Sequence, residues 1–261
     1  VGASLTGAEP DPDPGNNVAA QATTVAFIKG DLDNDLQTDL VLRNLGTGAN
    51  VTWLLDGVTR RTSALVTPDP LSLDWQVVGV DDFDGDHRND LVLRNDVTGS
   101  VEFWLLGGAT GTDRQGAAVP LSGGSLAPPW RIAATADFNH DGQPDLVWRN
   151  FSTQKIEIWT MDGTTRIGTV IPSPDQAIDL LWEIVGAQDW NADGNTDFLW
   201  YNPVSGKIVL WFMDATVVRI TGTFTNPSNA GDNNWKVLAM GDYGVGPGGL
   251  PLSGGERRLI A

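Results

Sequence analysis

The chain has 261 residues, 41% of them hydrophobic, which is enough for one large repeat domain or two small ones with a buried core. Asp and Glu number 33 against 16 Lys and Arg, so the net charge of −17 argues against a phosphate-binding basic face. The absence of cysteine removes disulfides, thiolate metal sites and cysteine nucleophiles.

No apolar run approaches the roughly 18 residues of a membrane span, so no transmembrane segment is expected. The sequence starts at Val1 without a basic or apolar leader, so any signal peptide is expected to be already gone from this numbering. Residues 1–22, with the linker-like AEPDPDPGNN at 8–17, are expected to be an N-terminal linker or a closing strand.

From there the chain repeats itself. Repeats fall near 24–74, 75–129, 130–181 and 182–234, with a partial copy at 235–261. An aspartate-rich nonapeptide opens at Asp31, Asp82, Asp137 and Asp189, and a degraded copy at Asp242, giving spacings of 51, 55, 52 and 53 residues. Trp53, Trp104, Trp159 and Trp211 each follow the first aspartate by 22 residues. Trp75, Trp130, Trp182 and Trp235 precede the next aspartate by seven. A period near 50 with strand-rich content predicts propeller blades.

Four short strands are expected per repeat. The first is WQVVGV (75–80), WRIAAT (130–135), WEIVGA (182–187) or WKVLAM (235–240). The second follows the nonapeptide: 39–44, 90–95, 145–150 and 197–202. The third is VEFWLL (101–106), IEIWTM (156–161) or IVLWFM (208–213). The fourth is weaker, as in 165–171 and 217–224. Val, Ile and Trp bounded by Gly and Asp are the β signal. The fold class is therefore all-β: a β-propeller of four-stranded blades over 23–261. Residues 1–24 and 235–261 together amount to one period, so a fifth blade built by both termini is expected to close the ring.

Each nonapeptide puts an oxygen-bearing side chain at positions 1, 3, 5 and 9, a donor set that suits calcium, which takes six to eight oxygens in flexible geometry. Gly142 and Gly194 at position 6 ease the bend. Position 12 is Leu42, Leu93, Trp148 or Trp200, where an EF-hand needs glutamate, so the EF-hand is rejected.

The pattern D-x-[DN]-x-D-x-x-x-D-[LF]-[VL], with its Gly turn and apolar strand, resembles FG-GAP/VCBS repeats, the calcium-loop blades of integrin α-chain propellers and of secreted bacterial proteins and lectins. The resemblance covers about 24–242. It implies a propeller with calcium between the first two strands of a blade. The ligands it implies are Asp31, Asp33, Asp35 and Asp39; Asp82, Asp84, Asp86 and Asp90; Asp137, Asn139, Asp141 and Asp145; and Asp189, Asn191, Asp193 and Asp197, for about four Ca2+ ions. The copy at Asp242 lacks the acids and carries none. Such propellers are commonly seven-bladed, so a fragment, a five-blade ring or closure through another subunit in an oligomer all stay open.

The periodic tryptophans are expected to pack the core, with Trp190 the most exposed, although exposed aromatics would also suit a sugar. Arg43, Arg94 and Arg149 share one position, with Tyr201 fourth, and are expected to pair with carboxylates or pack on Trp. His87 and His140 fall at non-ligand positions and are expected to face solvent. Asn50-Val51-Thr52 and Asn150-Phe151-Ser152 match glycosylation acceptors.

The function expected is a calcium-binding, extracellular, cell-surface or periplasmic recognition or adhesion module, its metal mainly structural. Its partner would be an unknown protein or glycan. One alternative is a lectin. Another is a propeller enzyme such as a polysaccharide lyase or glycosidase, but no paired carboxylates outside the loops mark a catalytic site, and the chain is read as a non-enzyme.

Overall fold

A computed structural model describes residues 29–44, 46–66, 72–108, 110–177 and 179–229. The β-branched and aromatic runs form antiparallel strands, and no helix occurs among the described residues. None is therefore long and apolar enough to cross a membrane.

The first sheet is β1 (Leu40–Arg43), β2 (Asn50–Asp56) and β3 (Thr59–Leu65). The second contains β4 (Trp75–Asp81), β5 (Asp90–Asn95) and β6 (Val101–Trp104). A two-stranded hairpin follows, β7 (Leu106–Gly107) with β8 (Asp113–Arg114), before β9 (Val119–Pro120) closes the second sheet beside β6. The third sheet is β10 (Trp130–Ala136), β11 (Asp145–Asn150) and β12 (Ile156–Trp159), followed by the hairpin β13 (Met161–Asp162) with β14 (Thr165–Arg166). The fourth is β15 (Glu183–Gln188), β16 (Asp197–Asn202), β17 (Lys207–Met213) and β18 (Arg219–Asn229).

The expected fourth strand at 165–171 is only partly one. Thr165–Arg166 turns back on β13, and Val170 then exchanges two backbone hydrogen bonds with Ile158 (2.7 and 2.9 Å). Two features break the regular pairing there: a hairpin intervenes, and Gly168 and Pro172 interrupt the run.

The sheets stack face to face. Every residue of β5, β11 and β16 is buried. Strand alternation splits each of them between two interfaces. Leu91 and Leu93 join Leu32, Leu54 and Trp104 against the first sheet. Val92 faces the other way, into a cluster with Phe103, Leu146, Trp148 and Trp159. Val147 repeats this with Ile158, Phe198, Trp200 and Trp211. β10 lies between β4 and β15, so the first strands of the sheets neighbour one another. Each carries a register shift at one equivalent place, at Val77/Gly79, Ile132/Ala134 and Ile184/Gly186. An extra residue there, Val78, Ala133 or Val185, lines a cavity of about 400 Å3. The segments expected to close a ring, 1–24 and 235–261, fall outside the described residues, as does the Asp242 copy.

Of the periodic tryptophans, Trp104, Trp159, Trp182 and Trp211 are buried, whereas Trp53, Trp75 and Trp130 are half-buried. Trp148 and Trp200 are the most deeply buried of the others, and Trp190 is half-buried. A guanidinium covers each third-strand ring: Arg60 on Trp53, Arg114 on Trp104, Arg166 on Trp159 and Arg219 on Trp211 (3.9–5.1 Å).

The arginines near the ends of β1, β5 and β11 differ in their partners, Arg94 and Arg149 reaching rings of the following sheet. Arg94 sits 5.8 Å from the Trp148 ring, pairs with Asp96 at 3.1 Å and donates to the Leu126 carbonyl. Arg43 donates to the carbonyls of Gly48 and Ser72. Arg149 differs. Phe151 stands where Asp96 would be, and the buried guanidinium has no hydrogen-bond acceptor among the described residues. Its neighbours are the Phe151 and Trp200 rings at 4.9 and 5.6 Å, and burial lowers its pKa. The charges of Glu183 and Asp179 attract it without a hydrogen bond, and a buried charge lacking an acceptor is costly. Arg149→Met is therefore expected to be neutral or to stabilise the fold by about 1 kcal/mol in urea denaturation, and a loss would show that the ring contacts outweigh desolvation.

Asn50 is wholly buried in β2 and Asn150 nearly so. Asn150 accepts the backbone amides of Ser152 and Thr153 (2.9 and 2.8 Å). Neither is accessible as a glycosylation acceptor in the folded chain.

Candidate metal centres

Nonapeptides two to four link the end of a first strand to the start of a second, the first leads into β1, and all four are wound by closely similar hydrogen bonds. The position 1 carboxylate takes two amides of its own loop. Asp82 accepts from Gly85 and His87 (2.7 and 2.8 Å), Asp137 from His140 and Gly142 (2.7 and 2.9 Å), and Asp189 from Ala192 and Gly194 (2.7 and 2.9 Å). Asp31 accepts from Asp35 and Leu36 (3.1 and 2.7 Å). The position 3 oxygen takes the position 5 amide in Asp84, Asn139 and Asn191. The position 5 oxygen takes the position 7 amide in all four loops. These short side-chain-to-backbone bonds are what Asp and Asn do best in turns.

This winding forces positions 4 and 6 into the left-handed region in every loop: Asn34 and Leu36, Gly85 and His87, His140 and Gly142, Ala192 and Gly194, with φ between 58° and 88°. It explains both histidines: they occupy bend positions and are exposed. Leu36 is the worst fit there, a branched side chain at φ 71°. Leu36→Gly is expected to stabilise the protein by about 1 kcal/mol, read as a raised Tm.

The apolar residue at position 2 plugs a sheet interface. Leu32, Phe83 and Phe138 are 1%, 0% and 3% exposed. Phe83 packs on Phe103 and Phe138 on Phe198 (ring centroids 4.8 and 5.2 Å).

Position 9 does more than the sequence suggests. Asp39, Asp90, Asp145 and Asp197 are all buried. One oxygen of each takes the position 2 amide, from Leu32, Phe83, Phe138 or Trp190 (2.8–3.0 Å). The other takes an amide 16 residues on, from Leu55, Leu106, Met161 or Met213 (2.8–3.0 Å). The carboxylate thus clasps its loop to the end of the third-strand segment. Each oxygen keeps a further lone pair for a cation. Burial pushes the carboxyls of Asp39 and Asp145 up to about 6 and that of Asp90 up to about 7, against the amides that favour the charged form. Asp197 is raised too, by burial.

Oxygens of Asp31, Asp33 and Asp39 lie within 4.8 Å of one another, and so do those of Asp82, Asp84 and Asp86. Two ligands of one calcium ion stand at most about 5 Å apart, so both sets fit. Asp35 of the first loop instead faces Arg61 from β3 at 2.8 Å, and Arg61 also pairs with Asp33. Asp90 lies outside the set of three in its own loop and appears as the clasp. In the third and fourth loops Asn139 and Asn191 replace one carboxylate, and their amide nitrogens donate to Asp141 and Asp193 (2.8 and 2.9 Å). Positions 3 and 5 of loops two to four are exposed and position 9 is buried, so each of these loops is a cup open to water. Arg61, the clasp and the position 2 plugs are features of the loops that sequence reading missed. Only the plugs had a local signal, an apolar residue at position 2 in all four copies.

The FG-GAP-like repeat family matches residues 82–148 and 137–200. No curated protein matches the chain. Each match begins on the first aspartate of a loop and ends within the second strand of the following repeat, in the register of the sheets described above. That shared register marks residues 82–200 as FG-GAP-like repeats.

Proposed function

We propose that the four loops each take one calcium ion and that the ions hold the hairpins of a recognition module working at a cell surface, in the periplasm or outside the cell. FG-GAP repeats suggest a surface or recognition role. The observation that carries the metal reading is the shared loop pattern of side-chain oxygens at positions 1, 3, 5 and 9 in four copies, converging within 4.8 Å at positions 1, 3 and 9 in the first loop and at positions 1, 3 and 5 in the second. A divalent ion supplies the positive charge that so many carboxylates lack. Asp31, Asp33, Asp35 and Asp39, and their counterparts, would hold it, with Asn139 and Asn191 turning their oxygens inward. The net charge of −17 then becomes tolerable in a stacked structure. We further propose a propeller arrangement of the sheets, supported by the adjacency of β4, β10 and β15. The partner proposed is a protein or a glycan.

Isothermal titration of chelator-treated protein with calcium is expected to show about four ions bound, with magnesium much weaker because it demands strict octahedral geometry. No calcium uptake at millimolar concentration would sink the reading.

A further inference from the structure

The residue at position 8 has no part in its own loop's oxygen set. In the second loop it is Asn89, 1% exposed. Its Oδ1 accepts the Gly30 amide (2.8 Å), and its Nδ2 donates to the Asp31 carbonyl oxygen (2.7 Å). The fourth loop repeats the move, with Thr196 Oγ1 donating to the Asp137 carbonyl oxygen at 2.5 Å. In both cases a loop grips the first residue of the loop before it, the residue whose carboxylate organises that loop. In the third loop position 8 is Pro144, which has no side-chain donor, so the corresponding bond to Asp82 cannot form.

A second contact runs the same way. Gly111 in the β7–β8 hairpin lies so close to the first loop that a Cβ there would stand 1.6 Å from the Leu32 carbonyl oxygen. Gly163 makes the looser counterpart on Phe83, at 3.1 Å. Packing therefore continues from the second repeat to the third, while the hydrogen bond does not.

We propose that the four cation sites are coupled as two pairs, first with second and third with fourth, through Asn89 and Thr196 as positioning residues. The proposal rests on the reading that the loops bind calcium. Asn89 precedes the Asp90 clasp directly, so ordering the second loop fixes the side chain that holds Asp31. The first loop is then pre-organised, and linkage makes the effect mutual. Between the second and third loops the chain of hydrogen bonds is broken at Pro144.

The test uses the full chain and calcium alone, by calorimetric titration. Asp141→Ala and Asp193→Ala silence the third and fourth loops, and the second loop is kept or silenced by Asp86→Ala, each with Asn89 or Asn89→Ala. With Asn89 present, silencing the second loop is expected to weaken the first about fivefold or more. With Asn89→Ala that dependence should vanish. Pro144→Thr, in a chain with the first and fourth loops silenced, supplies a missing donor. It should make the second loop's affinity depend on the third and so tests the idea even if Asn89→Ala does not fold. An equal drop with and without Asn89, no drop at all, or no dependence created at Pro144→Thr overturns the pairing. Failure of every variant, parent included, to bind calcium overturns the cation reading itself.

Discussion

Chelator is expected to lower the Tm of this protein steeply at pH 7.5 and hardly at pH 4. Burial raises the carboxyls of Asp39 and Asp145 to about 6 and of Asp90 to about 7 from 3.8. Burial raises Asp31, Asp33, Asp84 and Asp197 as well. Between pH 4 and 7 the metal-free folded chain therefore holds protons that the unfolded chain has released. Stability falls with rising pH wherever the folded state binds more protons, so the metal-free Tm should decline across that window. Calcium needs those carboxylates ionised and reverses the slope. At free calcium 100 times Kd each site adds about 2.7 kcal/mol, so four sites add about 11 kcal/mol at neutral pH. Differential scanning calorimetry at pH 4, 6 and 7.5, with calcium and with chelator, reads this directly. A chelator-insensitive Tm at pH 7.5 would refute it.

Removing the buried clasp is the second large effect. Asp90→Ala strands the amides of Phe83 and Leu106 in a site that is 0% exposed. Losing two charge-assisted hydrogen bonds and leaving two donors unpaired is expected to cost about 3–5 kcal/mol, with or without calcium. Asp86→Ala makes the opposite pattern. It removes an exposed oxygen whose one described bond within the loop is to the Arg88 amide, so it should cost under about 1 kcal/mol in chelator while removing one ion. Equal losses for both variants in chelator would mean that position 9 holds metal and nothing else. Urea titrations of the two variants decide it.

The strands were legible because each is a short apolar run with a fixed distance to an aspartate, and WQVVGV, DLVLRN and VEFWLL fall on β4, β5 and β6–β7. The loop chemistry was legible for the same reason, since the ligand pattern is contiguous. What sequence reasoning missed depends on partners far along the chain. Asp90 meets Leu106, Asn89 meets Asp31, and Arg61 meets Asp33. None of those pairs has a local signal. The left-handed turn at position 4 was hidden because Asn34, His140 and Ala192 stand there where glycine would have announced it. Arg149 meets the packing half of its expectation, over the Trp200 ring, and not the pairing half, because Phe151 stands where Asp96 serves Arg94. The glycosylation motifs fail because Asn50 is wholly buried and Asn150 nearly so.

Because β5 and β11 bury both faces, each against a different neighbour, no one repeat owns a complete interior. A peptide cut to a single period would present Leu91 and Leu93 on one side and Val92 and Arg94 on the other to water. It should behave as a random, protease-sensitive chain, and the smallest autonomous fragment should span at least two consecutive periods. Nicking in the connection between β9 and β10 should therefore unravel neighbours together and leave no stable piece of one period's length.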